Sequence, residues 1–229
     1  MTAIKNGKIV TSTEVIENKI LLVKDDEILD ISDNTADAEN IIDIKGSYIL
    51  PGLIDVHSDR IEQFIQPRPS SQMDFSFALK TCERELLSAG ITTMYHSIAL
   101  YKDDFFGVSP LRTKENMLKM SDLIAESQQR LIRHRLHLRV EVDNPDAFDI
   151  AKDAIQQSKI HLISFMDHTP GQGQYSDLSV YLKAISGTFN MGNITPESLV
   201  EYHTNKPTLS LFQLKQLAAF AREKGIATA

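Results

Sequence analysis

Ile49-Leu50-Pro51-Gly52-Leu53-Ile54-Asp55-Val56-His57-Ser58-Asp59 is an apolar run that breaks into ligand-type side chains two residues apart. Side chains alternate along a strand, so Asp55, His57 and Asp59 share one face while Ile54, Val56 and Ser58 take the other. A strand covered on both sides reads as nearly continuous apolar sequence, and polar groups at its C-terminal end run against that trend. A parallel barrel keeps its chemistry at this end. Taken alone, His57 and Asp59 also suit an ordinary strand exit, with His57 bonded to a carbonyl and Asp59 capping the next element.

From residue 49 onward the pattern is strands alternating with helices, as in parallel α/β architecture. Apolar runs recur at Gly90–Tyr95, Leu136–Val142 and Ile160–Met166. A helix over 76–89 is closed by Gly90. Asn144-Pro145-Asp146 predicts an N-cap and an acidic first turn for a helix through about Gln157. Ser210 and Gln213 form a capping box for a last helix that stops at Lys224-Gly225, and Ile226–Ala229 reads as the start of another strand. That makes four barrel strands and the opening of a fifth, where a closed barrel has eight in roughly 250 residues. The expected fold is therefore α/β: an incomplete TIM (β/α)8 barrel, truncated at its fifth strand, over 49–229. Before it, residues 1–48 read as short strands at Lys8–Val10, Lys19–Val23, Glu27–Ile31 and Ile41–Ile44, with turn chemistry at Asn6-Gly7 and Asp25-Asp26. This piece is expected to be the N-terminal part of a composite β-sandwich.

The third barrel strand alternates strictly. In Arg135-Leu136-His137-Leu138-Arg139-Val140-Glu141-Val142-Asp143 every odd position is polar and every even one aliphatic. An exposed antiparallel strand would alternate in the same way. In a parallel barrel the aliphatic face meets the helices, so Arg135, His137, Arg139, Glu141 and Asp143 point into the lumen, and Glu141 ends beside His57 and Asp59. A further polar exit follows the fourth strand at Met166-Asp167-His168-Thr169-Pro170-Gly171-Gln172-Gly173-Gln174-Tyr175. His57, Asp59, Glu141 and His168 are thus the candidate ligands of one or two divalent ions, zinc or manganese by donor type. A bound ion would lower the pKa of its water and generate hydroxide. Asp59 doubles as candidate general base. His96, after the second strand, is a weaker candidate with a supporting role. Arg68, Arg135 and Arg139, with Gly171, Gln172 and Gln174 of the glycine-rich loop, are candidate binders of phosphate oxygens.

Composition narrows the partners. The 229 residues are 42% hydrophobic and carry a net charge of -7, which argues against non-specific nucleic-acid binding. No apolar run approaches the ~20 residues that span a bilayer, and the N-terminus lacks a signal-peptide core. The single cysteine, Cys82, lies on the first expected helix as a packing residue, and the cytoplasm is the expected compartment.

Leu50-Pro51-Gly52-Leu53-Ile54-Asp55-Val56-His57 resembles the first-strand signature of the amidohydrolase superfamily, although His57-Ser58-Asp59 stands where His-x-His is usual. Together with Gln66-Pro67-Arg68-Pro69, Gly90-Ile91-Thr92-Thr93, His134–Arg139 with Glu141, and Met166–Gln172, it resembles one subfamily, the ribosyl phosphonate 5-triphosphate diphosphatases of phosphonate catabolism. That resemblance implies a metal-dependent hydrolase that removes pyrophosphate from a small phosphorylated substrate. It leaves open a homo-oligomer, or association with other phosphonate-pathway proteins. Alternatives are an amidohydrolase acting on a cyclic amide or amine, and an inactive fragment.

Overall fold

The computed structural model describes residues 1–35, 37–68, 70–100, 112–127, 130–171, 173–188 and 195–229. It contains two compact units, Met1–Leu53 and Ile54–Ala229. Among the described residues no helix is long and apolar enough to cross a membrane.

The first unit is made of β1 (Thr2–Lys5), β2 (Lys8–Val10), β3 (Val15–Ile16), β4 (Ile20–Lys24), β5 (Glu27–Ser32), β6 (Asn40–Asp43) and β7 (Tyr48–Ile49). They form a four-stranded sheet of order β5-β4-β1-β6 and a three-stranded sheet of order β3-β2-β7. The four-residue β1 is too short to announce itself by alternation. It is fixed by its neighbours, antiparallel to β4 and parallel to β6. At Asn6-Gly7 the chain bends between strands of different sheets, with Asn6 at φ 57°. A Cβ on Gly7 would fall 2.4 Å from Ile44 Cδ1, so any side chain there would make Ile44 shift.

The second unit runs β8 (Leu53–Ser58), α1 (Arg60–Ile65), α2 (Phe75–Ser88), β9 (Ile91–Leu100), α3 (Lys114–Glu126), β10 (Arg133–Glu141), α4 (Ala147–Gln156), β11 (Leu162–Met166), α5 (Leu178–Thr188), α6 (Pro196–Thr204), α7 (Leu211–Glu223) and β12 (Ala227–Thr228). Its five strands lie in chain order, β12-β11-β10-β9-β8, and β9 through β12 pair in parallel. Sequential parallel strands with helical crossovers are the winding of a TIM barrel, here an incomplete one. The short β12 is the expected fifth strand.

The two faces of β10 follow the alternation. Leu136, Leu138 and Val140 are fully buried in a cluster with Met94, Ile98 and Leu100 of β9, Leu79 and Leu86 of α2, and Met117, Met120 and Ile124 of α3. Each such side chain contributes about 1.5–3 kcal/mol by leaving water. Cys82 belongs to the same cluster, and burial pushes its thiol up to about 12.

Two local expectations are corrected. The apolar pattern of β9 continues through Ile98 and Leu100, so the strand runs past Tyr95 and His96 lies inside it, opposite Leu136. His96 faces the helix layer. Its Nε2 is 2.9 Å from His134 Nδ1, and His134 Nε2 is 3.2 Å from Glu83 Oε1, which also accepts the amide of Leu131 at 2.9 Å. The bonds close with both imidazoles neutral and protonated on Nε2. At α4 the N-cap is Asp146, whose side chain makes no capping bond. Asn144 instead bridges strands, its amide donating to Glu141 O at 3.1 Å and its Nδ2 to Leu100 O at 3.1 Å.

Candidate functional site

The ends of β8, β10 and β11 supply the polar residues expected of them. Odd positions of β10 turn to the face away from the helices, and the last two, Arg139 and Glu141, are nonetheless buried. Glu141 Oε2 lies 2.7 Å from His168 Nδ1, two residues beyond β11. A neutral His168 therefore donates from Nδ1 and keeps Nε2 as its basic nitrogen. Arg139 reaches across to Asp59 at the end of β8, with Nη1 3.2 Å from Oδ1 and 3.1 Å from Oδ2. Its Nη2 is 3.6 Å from Glu141 Oε1. The guanidinium thus stands between two carboxylates, one of them wholly buried, and supplies the countercharge that a buried carboxylate requires.

Arg112, which sequence reasoning missed, joins from the segment before α3. Nε and Nη2 hold Glu62 of α1 at 3.0–3.1 Å, and Nη2 is 3.7 Å from Asp59 Oδ2. One signal was available. Thr113 caps α3 with its hydroxyl, and a cation immediately before a helix N-terminus opposes the helix dipole. His137, named only as lumen-facing, also proves part of this region. Its ring packs edge-on against His57 at a centroid distance of 5.0 Å, and its Nε2 is 2.8 Å from Ser164 Oγ. Burial first, then the neighbouring His57, pulls His137 down to about 4, so it is neutral near pH 7.

Other expected binders are not brought into this cluster. Arg135 Nη1 is 3.2 Å from His161 Nε2, six positions before Glu141 and so about 20 Å along the strand. Arg68 is exposed and forms a bridge with Ser71. In the glycine loop, Gly171 takes φ 87°, but its amide donates to Tyr175 O at 2.9 Å and is not presented to a ligand. Gln172 and the side chain of Gln174 lie outside the described residues.

For a divalent ion, the donor chemistry and the arrangement disagree. Carboxylates and imidazoles suit zinc or manganese, and Glu141 Oε1 is buried with no hydrogen-bond partner among the described residues. Yet among those residues no three or more His, Cys, Asp or Glu side chains are grouped to hold an ion. Asp59 and Glu141 are separated by Arg139. Among the described residues these side chains are not gathered around one point.

No family model matches the chain. It is 30% identical over 233 residues to the alpha-D-ribose 1-methylphosphonate 5-triphosphate diphosphatase of Escherichia coli (strain K12), a match covering 99% of this chain and 60% of that protein. Among solved structures it resembles N-acetylglucosamine-6-phosphate deacetylase from Pasteurella multocida, with TM-score 0.53 and 17% identity over 80% of this chain and 48% of that one. It also resembles a D-hydantoinase, with TM-score 0.50 and 20% identity over 99% of this chain and 56% of that one. The chain thus spans about 60% of the length of the curated relative it matches. The chain is similar along nearly its whole length to that diphosphatase, and its barrel winding is similar in fold to the two solved structures.

Proposed function

We propose that this chain carries the reactive rim of a metal-dependent hydrolase that acts on a phosphoric anhydride. The substrate class is a ribosyl phosphonate 5-triphosphate, and the products are the 5-phosphate and pyrophosphate. The observation that carries this reading is the convergence of two guanidiniums, Arg139 and Arg112, on Asp59, beside the bonded pair of Glu141 and His168. Arginine forks match phosphate oxygens in geometry and charge. A site for a neutral cyclic amide has no use for two of them.

The roles follow from chemistry. The arginines hold the charged oxygens of the transferring group and offset the charge that builds there. Glu141 fixes the ring of His168 and leaves its Nε2 to hold the ion, and Asp59 takes the proton of the attacking water. Water adds to phosphorus, the bridging P–O bond breaks and pyrophosphate departs. Asp59 orients the two guanidiniums. His57, Asp59, Glu141 and His168 remain the proposed ligands of zinc or manganese. The relative identified above supports the substrate class. Phosphorus NMR of the protein with the ribosyl triphosphate, with and without chelator, tests it: pyrophosphate is expected, and only without chelator. Release of orthophosphate instead, or of ammonia from a cyclic amine, overturns the reading.

A further inference from the structure

The chain of the first unit passes between its two sheets three times, and the three crossovers lie together. Asn6-Gly7 joins β1 to β2, residues 17–19 join β3 to β4, and residues 44–47 join β6 to β7. Backbone bonds fasten two of them side by side: Gly46 N donates to Asn6 O at 2.6 Å and Lys8 N to Ser47 O at 3.0 Å. Each crossover turns on a residue in the left-handed region, Asn6 and Asn18 at φ 57° and Lys45 at φ 50°. They border a cleft of about 500 Å³, and each brings lysine to it: Lys5 and Lys8 from the first, Lys19 from the second and Lys45 from the third. Between Met1 and Leu53 the sequence has five lysines, no arginine and ten acidic residues. Four of those lysines line this cleft, against only two of the acids, Glu17 and Asp33.

Two of the four ammonium groups are tied down. Lys8 Nζ is 3.3 Å from Glu17 Oε1 and Lys19 Nζ is 2.6 Å from Asp33 Oδ1. Among the described residues Lys5 and Lys45 form no ion pair. Asp43 lies beside them, but its carboxylate is engaged by Asn6 Nδ2 and by the Lys45 amide, both at 2.9 Å. We propose that this cleft is an anion site, built wholly from first-unit residues, that takes a small polyphosphate of pyrophosphate size. The amides of Lys8, Lys45 and Gly46 are spent inside the turns, so the ligand is met by side chains. An ammonium is a compact point charge with three donors and no fork. Four of them spread over three turns suit several charged oxygens along a short chain better than a single carboxylate. The acidic remainder of the unit repels a long polyanion such as nucleic acid. The site stands apart from the hydrolytic reading, since no residue of the rim takes part. The rival role is plain solvation of the turns, which predicts no saturable binding.

Residue-resolved amide NMR of the whole chain, titrated with inorganic pyrophosphate at low salt and without divalent ions, tests the proposal. Saturable shifts are expected at Asn6, Gly7, Asn18 and Gly46, weakening as salt is raised. The double variant Lys5→Gln/Lys45→Gln should bind about tenfold more weakly at these amides, the scale of losing two partly screened charge contacts. Lys5→Arg/Lys45→Arg keeps both charges and stays near wild type, and the amide spectrum itself reports that each variant is folded. Inorganic phosphate, with one phosphorus centre, should bind more weakly than pyrophosphate. Shifts confined to the second unit, first-unit shifts that never saturate, or a Gln double variant that binds as tightly as wild type each overturn the proposal.

Discussion

Glu141 Oε2 lies 2.7 Å from His168 Nδ1 and joins the last residue of β10 to the segment after β11. Because Glu141 is wholly buried and Asp59 is 39% exposed, the two carboxylates of this rim should differ in what their loss costs. Glu141→Ala leaves Arg139 buried without its interior partner and should destabilise by about 3–5 kcal/mol. Asp59→Ala should cost only about 1 kcal/mol, as for a water-accessible pair. Urea unfolding of both variants checks this, and equal costs would refute the burial argument.

Acid should destabilise the protein through His96. Burial, then the adjacent His134, pulls its folded pKa from 6.5 to about 3. The unfolded state therefore binds the extra proton between those values. The contribution of a neutral His96 is fully present above pH 6.5 and is lost as pH falls from 6.5 toward 3, at about 1.4 kcal/mol per pH unit for this one group. His96→Asn should flatten that slope in stability measured from pH 7 to pH 4. An unchanged slope would show that His96 is not held neutral.

Arg112 and Glu62 form a three-bond contact with side chains 20% and 15% exposed. A charge-assisted contact of this kind is worth about 1.5–3 kcal/mol. A double-mutant cycle of Arg112→Ala and Glu62→Ala should return a coupling in that range, smaller in high salt. Additive single variants would remove Arg112 from the network.

Cys82 should be inert. Its thiol is buried in the α2 core and pushed up to about 12, so the reactive thiolate is scarce at neutral pH. An aromatic disulfide reagent should label it only on unfolding. Rapid stoichiometric labelling of the folded protein would contradict the placement.

Much of the barrel was legible because its strands are covered on one face by helices and polar on the other, which writes a period-two pattern from Arg135 to Asp143 into the sequence. Caps with a side-chain mechanism were legible too: Ser210 and Gln213 make the full reciprocal box, and the chain turns at Gly225 with φ 70°. Asn144 misled because its side chain serves a contact with Leu100 distant in sequence, which no local signal encodes. Arg112 offers one local signal, a cation set against the start of α3, while its partners Glu62 and Asp59 lie some fifty positions away. The composition of the loop carrying Gly171 suggests a cradle of amides. Its geometry spends the Gly171 amide internally.

Locating a bound ion tests most directly whether the polar ends of β8, β10 and β11 act as one reactive rim. In crystals grown with Mn2+, the anomalous signal should fall within coordination distance of Glu141 and His168. A signal elsewhere on the chain, or none at the rim, would contradict that placement.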